Sequence, residues 1–386
     1  MTDLLKKWVK TEDQQRLFSK AERLAEKAGE VAAQSDKEAS FSFELLHEMK
    51  KEKYPSLTLP ANYGGENISL YTFLLLQEKL AEGDGSAALS IGWHLGVVME
   101  LKDDQPWEDT DFVRLANEIK ANQVIVNRAA SEPATGSPTR GGIPETKAVR
   151  QGEGYVLNGR KTFTSMAEQL DYFIVSAYVE ELDTVGWFLI HRDLSGVKVE
   201  KTWDTLGMRG TGSDDLVLEN VKLPERDLVE MKGSQKPSPK GWLLHIPACY
   251  LGIALAARNK AITFAQNFQP NSLNTTISEV SHIREKIGEM DLKLIEAHHF
   301  LYSVAQKWDE QPVKRTEMAG DLAAVKVSVT NKAQEIVDLA MRVAGGRGLS
   351  KQYQFEKYYR DVRAGLHNPP MDDAVLQILA GNALDG

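Results

Sequence analysis

Three stretches of this chain carry residue types that can do binding chemistry. Ser131-Glu132-Pro133-Ala134-Thr135-Gly136-Ser137 offers hydroxyls and loop amides suited to a cofactor or an anionic substrate, or else is an ordinary loop. Leu206-Gly207-Met208-Arg209-Gly210-Thr211-Gly212-Ser213 is rich in small residues, which also suit a simple turn between strands. Ala344-Gly345-Gly346-Arg347-Gly348 ends a long helical pattern and reads either as a glycine C-cap or as backbone that a phosphate approaches closely. The standard nucleotide signals are absent: there is no GxxxxGK loop and no GxGxxG between a strand and a helix. The eight histidines show no HExxH spacing, and adjacent His298 and His299 point in different directions on a helix, which disfavours metal chelation.

The elements that must position these stretches fall into three regions. From Thr11, which with Gln14 forms a candidate capping box, Leu17, Ala21, Leu24, Ala28 and Val31 recur at helical spacing. Helices are expected up to about residue 122, broken by the Pro60 and Gly64-Gly65 loop. Residues 123–232 change character: Tyr155-Val156-Leu157, Phe173 to Tyr178 and Trp187 to Ile190 read as strands of an antiparallel β domain. Gly152-Glu153-Gly154 and Asn158-Gly159 are expected to supply its tight turns. Residues 233–386 return to helical periodicity, with stripes at Ile283, Ile287, Met290 and Leu294 and at Leu322, Val325, Val329, Ile336 and Val343. The order implies an α+β, mostly helical chain of three domains, 1–122, 123–232 and 233–386, and not a doubly wound parallel sheet.

Bulk properties narrow the function. The 386 residues are 42% hydrophobic and 26% charged, values of an ordinary globular protein. The formal charge of −9, with no dense Lys/Arg run, argues against nucleic acid. The single cysteine, Cys249, rules out an intrachain disulfide, and no segment reaches 18 unbroken apolar residues. A cytoplasmic location and no membrane span are expected.

Taken in order, five segments resemble the acyl-CoA dehydrogenase family across almost the whole chain. They are Leu59 to Gly65 with Glu78 to Ala87, Ser131 to Ser137, Asn158 to Ser165, Leu206 to Pro224, and Arg342 to Asp361. The resemblance implies a homotetramer of a helical domain, a β domain and a helical bundle, holding FAD non-covalently, with FMN as the alternative. By position, Ser131 would bond the flavin ring, Phe163 pack on it, and Ser165 donate toward its reactive nitrogen, with Ser137 in the same flavin loop. Arg342, Gly345 and Gly346 would approach the pyrophosphate of a neighbouring subunit's FAD, and Asp373 is a further cofactor candidate. The implied activity is α,β-dehydrogenation of an acyl-CoA thioester, in fatty or branched acyl metabolism, with electron-transfer flavoprotein as acceptor.

Two departures bear on that activity. Where the family often carries its catalytic glutamate after the Arg-Asp pair, this chain reads His367-Asn368-Pro369-Pro370-Met371-Asp372-Asp373, with Pro369 at the expected position. Proline accepts no proton, and Gly241 to Pro247, where other members place the acid, has none. His367, Asp372 and Asp373 are the remaining base candidates; the two aspartates equally suit a helix cap, and His367 a structural role. The same segment is similar to flavin monooxygenases of this fold, which makes a two-component oxygenase the alternative, and a silent flavin or acyl-CoA binding protein the third. The family's Arg-x-x-Phe-Gly contact is replaced by Gln266-Asn267-Phe268-Gln269-Pro270-Asn271, which leaves the choice of FAD or FMN open.

Overall fold

The computed structural model describes residues 4–135, 142–233 and 238–384. The first region is helical: α1 (Glu12–Glu38), α2 (Phe43–Lys51), α3 (Leu70–Gly83), α4 (Gly85–Asp104) and α5 (Asp109–Asn122). Side-chain caps start most of these helices. Thr11 Oγ1 accepts the Gln14 N–H at 3.1 Å, whereas the Gln14 amide turns back to the Lys10 N–H, one residue earlier than a full capping box requires. Asp84 both ends α3 and caps α4, where its carboxylate accepts the Ala87 N–H.

Eight strands follow: β1 (Val126–Ala129), β2 (Lys147–Gln151), β3 (Gly154–Lys161), β4 (Tyr172–Val179), β5 (Thr184–His191), β6 (Val197–Glu200), β7 (Asp215–Pro224) and β8 (Leu228–Met231). They form one sheet in the order β6-β7-β3-β2-β4-β5-β8, with β1 also paired to β4. Pairing is mainly antiparallel, but β1 and β2 each run parallel to β4, an arrangement that strand periodicity does not reveal. Gly152-Glu153 does connect β2 to β3. Asn158-Gly159 does not make a turn: both lie within β3, at a register shift against β7. Gly159 is there for closeness, since an added Cβ would fall 2.3 Å from Thr146 Oγ1.

The last region comprises α6 (His245–Asn267), α7 (Ser281–Glu310), α8 (Ala319–Ala344), α9 (Phe355–Arg363) and α10 (Asp372–Leu384). The predicted stripes bury Ile283, Met290, Leu294, Leu322, Val325, Val329, Ile336 and Val343, while Ile287 packs on the core edge. Helix α6 sits at the centre, against α3 on one side and α8 on the other. The segment Gly241–Asn267 is long and apolar enough to cross a membrane, but 94% of its most apolar window is buried in the protein. Close backbone contact lets α6 join the two helical regions, because an added Cβ on Gly252 would fall 2.3 Å from the Glu78 carbonyl oxygen. A second, smaller core seals the sheet to α4 and α5 through Val126, Ile174, Leu189, Leu101 and Leu115.

Candidate active site

A buried ion pair ties the Ser131–Ser137 stretch to the Asn158–Ser165 segment. Lys161, the last residue of β3, donates to Glu132 at 2.5 Å and to Ser176 Oγ at 3.1 Å, and both members of the pair are essentially inaccessible to solvent. Glu132 also accepts from the Glu145 and Thr146 N–H groups and from the Thr146 hydroxyl. Burial opposes the Glu132 charge, but the hydrogen bonds from Lys161 and Thr146 hold the carboxyl below its usual range. Burial also pulls the Lys161 amine down to about 8 against the pull of Glu132, so the pair is ionised at neutral pH. The carboxylate thus accepts four hydrogen bonds, and the pair fixes Ser131 beside the end of β3. A backbone bond from the Thr162 N–H to the Ser131 carbonyl completes the junction.

The chain beyond Lys161 presents an unusual surface. Phe163 is 67% exposed and lies in the left-handed region at φ 56°. A bulky aromatic residue is strained there and gains little hydrophobic stabilisation from exposure. Trp203 meets it edge-on at 5.7 Å and anchors its own indole N–H on the Met208 carbonyl. Behind Phe163, the Ser165 hydroxyl lies 3.1 Å from Ser213 Oγ, which is 2.8 Å from Thr211 Oγ1, whose own hydroxyl donates to the Met208 carbonyl at 2.8 Å. Between them, Thr164 Oγ1 is buried without a partner. A flat exposed aromatic, a neighbouring serine hydroxyl and an orphaned buried oxygen fit a planar heteroaromatic group such as a flavin ring.

The Leu206–Ser213 stretch is indeed the connection between β6 and β7, but it does more than turn. Gly207 lies so close to α9 that a Cβ would fall 2.2 Å from the Arg360 carbonyl. The Met208 N–H donates to Asp361 at 2.6 Å. Asp361 in turn shares Lys357 with Asp84, at 2.6 and 2.7 Å, in a buried cluster. The carboxylates keep Lys357 charged in spite of its burial. This knot joins all three regions next to the Phe163 surface.

The other predicted residues fall elsewhere. Gly345 is the C-cap of α8 at φ 60°, as the glycine reading expects, and open space lies around both it and Gly346. Arg342 is exposed and pairs with Asp338 at 2.7 Å. It lines an open cavity of about 680 Å³ between α7 and α8, together with Lys293, Gln334 and Arg363. Ser137 lies outside the described residues. Asp372 bonds Lys326 and Asn331, a structural use that keeps the buried lysine compensated. Asp373 is exposed in the first turn of α10 and accepts the Ala374 N–H. His367 is exposed and, among the described residues, makes no side-chain hydrogen bond, while the next residue, Asn368, accepts from the buried Tyr250 hydroxyl. Sequence reasoning missed Trp203, Ser213 and the Glu132–Lys161 pair. Lys161 stands two residues before Phe163 in a quoted motif, but with Arg160 beside it nothing in the sequence marks it as the buried one of the two.

Known proteins carry the same organisation. Residues 11–103, 127–221 and 244–366 match the N-terminal, middle and C-terminal domain models of acyl-CoA dehydrogenase. The chain is 48% identical over 379 residues to a Bacillus subtilis (strain 168) protein named "Putative acyl-CoA dehydrogenase YdbM", covering 98% of this chain and 99% of that one. It is 30% identical to the 3-(aryl)acrylate reductase of Clostridium sporogenes (strain ATCC 15579), covering 92% and 93% of the two chains. Among solved structures, the complex of TdsC from Paenibacillus sp. A11-2 with FMN and indole aligns with a TM-score of 0.87 over 96% of this chain and 97% of that one; at 21% identity the likeness is one of fold.

Proposed function

The chain belongs to the acyl-CoA dehydrogenase family, and from that premise we propose that it oxidises an acyl-CoA thioester across its α and β carbons with FAD as the hydride acceptor. The observation that carries this reading is the Phe163 surface, an exposed aromatic held in a strained conformation beside the Ser165 hydroxyl. When bound there, the flavin supplies a two-electron acceptor for the β hydrogen. Phe163 packs against the ring, Ser165 donates a hydrogen bond to it, and Ser131 orients it from the adjoining loop. Arg342, Gly345 and Gly346 reach the pyrophosphate of a neighbouring subunit in a homotetramer, and electrons leave to an electron-transfer flavoprotein.

The α proton needs a base. Of the three candidates, Asp372 is committed to Lys326 and Asp373 to the start of α10, so His367 is assigned the role. The imidazole accepts the proton as the α C–H bond breaks, the β hydrogen leaves with its electron pair, and the two carbons form the double bond. Anaerobic mixing of the FAD-loaded protein with straight, branched and aromatic acyl-CoA thioesters tests the reading. Loss of the visible flavin band together with enoyl-CoA formation is expected.

Pro369 favours a second reading, because a chain that needs no α-proton base has no use for a glutamate there. A two-component oxygenase would leave the flavin oxidised in that experiment and give an oxygenated product when supplied with reduced flavin and air. Binding without either reaction would point to a silent binding protein.

A further inference from the structure

We propose that Gln77, Trp242 and His245 form a recognition box that selects substrates ending in a hydroxylated aromatic ring. The proposal rests on the thioester reading for the reactive end of the substrate, but not for the end it recognises. His245, the first residue of α6, is fully buried, and neither of its ring nitrogens has a partner. Gln77 Oε1 and Trp242 Nε1 are likewise buried and unpaired. Buried polar atoms are almost always satisfied in a folded protein, so several orphans around one point mark a place where a polar group from outside belongs.

The walls of the box are aromatic. The His245 ring lies parallel to Phe73 and to Trp242, each at 5.9 Å, and meets Trp93 edge-on at 4.9 Å. Two glycines one turn apart on α4 let these side chains pack directly on its backbone: an added Cβ on Gly92 would fall 2.5 Å from both Gln77 Nε2 and His245 Nδ1, and one on Gly96 would fall 2.2 Å from the Trp242 ring. The same two contacts from Gly92 place Gln77 beside His245. Trp93 and Trp242 are only half-buried, so the box has a mouth.

One stripe of α4 runs from that mouth toward the candidate flavin surface. Ser86, Ser90 and Trp93 are spaced i, i+4, i+7 on α4 and so share one stripe. Ser86 touches the Met208–Gly210 loop at one end of the stripe, and Ser90 Oγ, midway along it, is another buried orphan. Seven residues of helix span about 10 Å, a length suited to a short acyl chain carrying one ring.

The hydrogen-bonding pattern names the group. Burial pushes the His245 imidazole down to about 3, so it is neutral and offers one N–H donor and one bare nitrogen. Gln77 Oε1 is an acceptor and Trp242 Nε1 a donor. A phenolic hydroxyl, which donates once and accepts, is complementary to this set, and its ring matches the aromatic walls.

The test is equilibrium binding to the FAD-loaded protein, read from perturbation of the flavin absorbance, with 3-(4-hydroxyphenyl)propanoyl-CoA, 3-phenylpropanoyl-CoA, hexanoyl-CoA and free 3-(4-hydroxyphenyl)propanoate. The hydroxylated thioester should bind about tenfold more tightly than its unsubstituted analogue. His245→Phe and the milder Trp242→Phe should shrink that ratio toward one. Equal affinities in the unaltered protein, a ratio that survives both substitutions, or no binding by any ligand would overturn the proposal. If the thioesters fail to bind but the free hydroxylated acid binds and loses affinity in both variants, the box stands and the thioester reading falls.

Discussion

His94 and His245 are both fully enclosed, one in the middle of α4 and the other at the start of α6, yet their surroundings are opposite. His94 Nδ1 accepts the Val126 N–H at 3.1 Å and its Nε2 faces the Pro55 carbonyl at 2.9 Å, so its tautomer is set and both nitrogens are used. It ties α4 to β1 and to the loop before α3. His245 has the same burial and no partner at all. The Glu132–Lys161 pair belongs with His94: buried, charged, and hydrogen-bonded on both sides. Burial alone therefore does not identify function in this chain. The satisfied groups at His94 and Glu132–Lys161 hold the scaffold, while the unsatisfied ones around Phe163 and His245 mark the two proposed ligand sites.

Substitutions can break this contrast. The largest effect is expected from Lys161→Met, which strands the Glu132 carboxylate in the core; about 3–5 kcal/mol of stability should be lost in urea denaturation, with loss of bound flavin. His94→Leu comes next, since it leaves the Val126 N–H and the Pro55 carbonyl unpaired at about 1–3 kcal/mol for each group. Acid should then separate the histidines from the rest of the protein. In the folded chain burial depresses His94 to about 4 and His245 to about 3, below the value of about 6.5 for a free imidazole. The unfolded chain thus binds more protons between about pH 6.5 and those values. Stability must fall as pH drops through that window, by up to about 1.4 kcal/mol per pH unit for each histidine. Denaturation midpoints measured from pH 7 to pH 4 should show this slope, and it should be shallower in His245→Phe. The smallest effect belongs to His245→Phe at pH 7 without ligand, where an apolar ring replaces unsatisfied nitrogens and stability should change by less than about 1 kcal/mol in either direction. A loss as large as that of His94→Leu would place His245 among the scaffold residues.

Much of the architecture was legible in the chain. Helical stripes such as Leu322 to Val343 and the change to strand patterns after residue 123 follow from period alone. The glycine cap at Gly345 was readable for the same local reason. Asn158-Gly159 misled, because a sequence with ideal turn chemistry was overridden by the need for closeness to Thr146 inside the sheet. The parallel pairing of β1 and β2 with β4 depends on where strands meet in space, which local pattern does not encode. Among site residues, Phe163 and Ser165 were visible through their motif, whereas Trp203 and His245 acquire meaning only from neighbours far along the chain. Asp372 and His367 looked equivalent as bases until Lys326 and Asn331 were seen to claim the aspartate.

The most direct measurement is rapid anaerobic mixing of the FAD-loaded protein with an acyl-CoA thioester carrying hydrogen or deuterium at the α carbon, following the visible flavin band in the unaltered chain and in His367→Asn. Dehydrogenation with His367 as base predicts bleaching that is slower for the deuterated thioester and at least about 100-fold slower in the variant. A band that stays oxidised with both thioesters, while reduced flavin and oxygen convert a substrate to an oxygenated product, would contradict it.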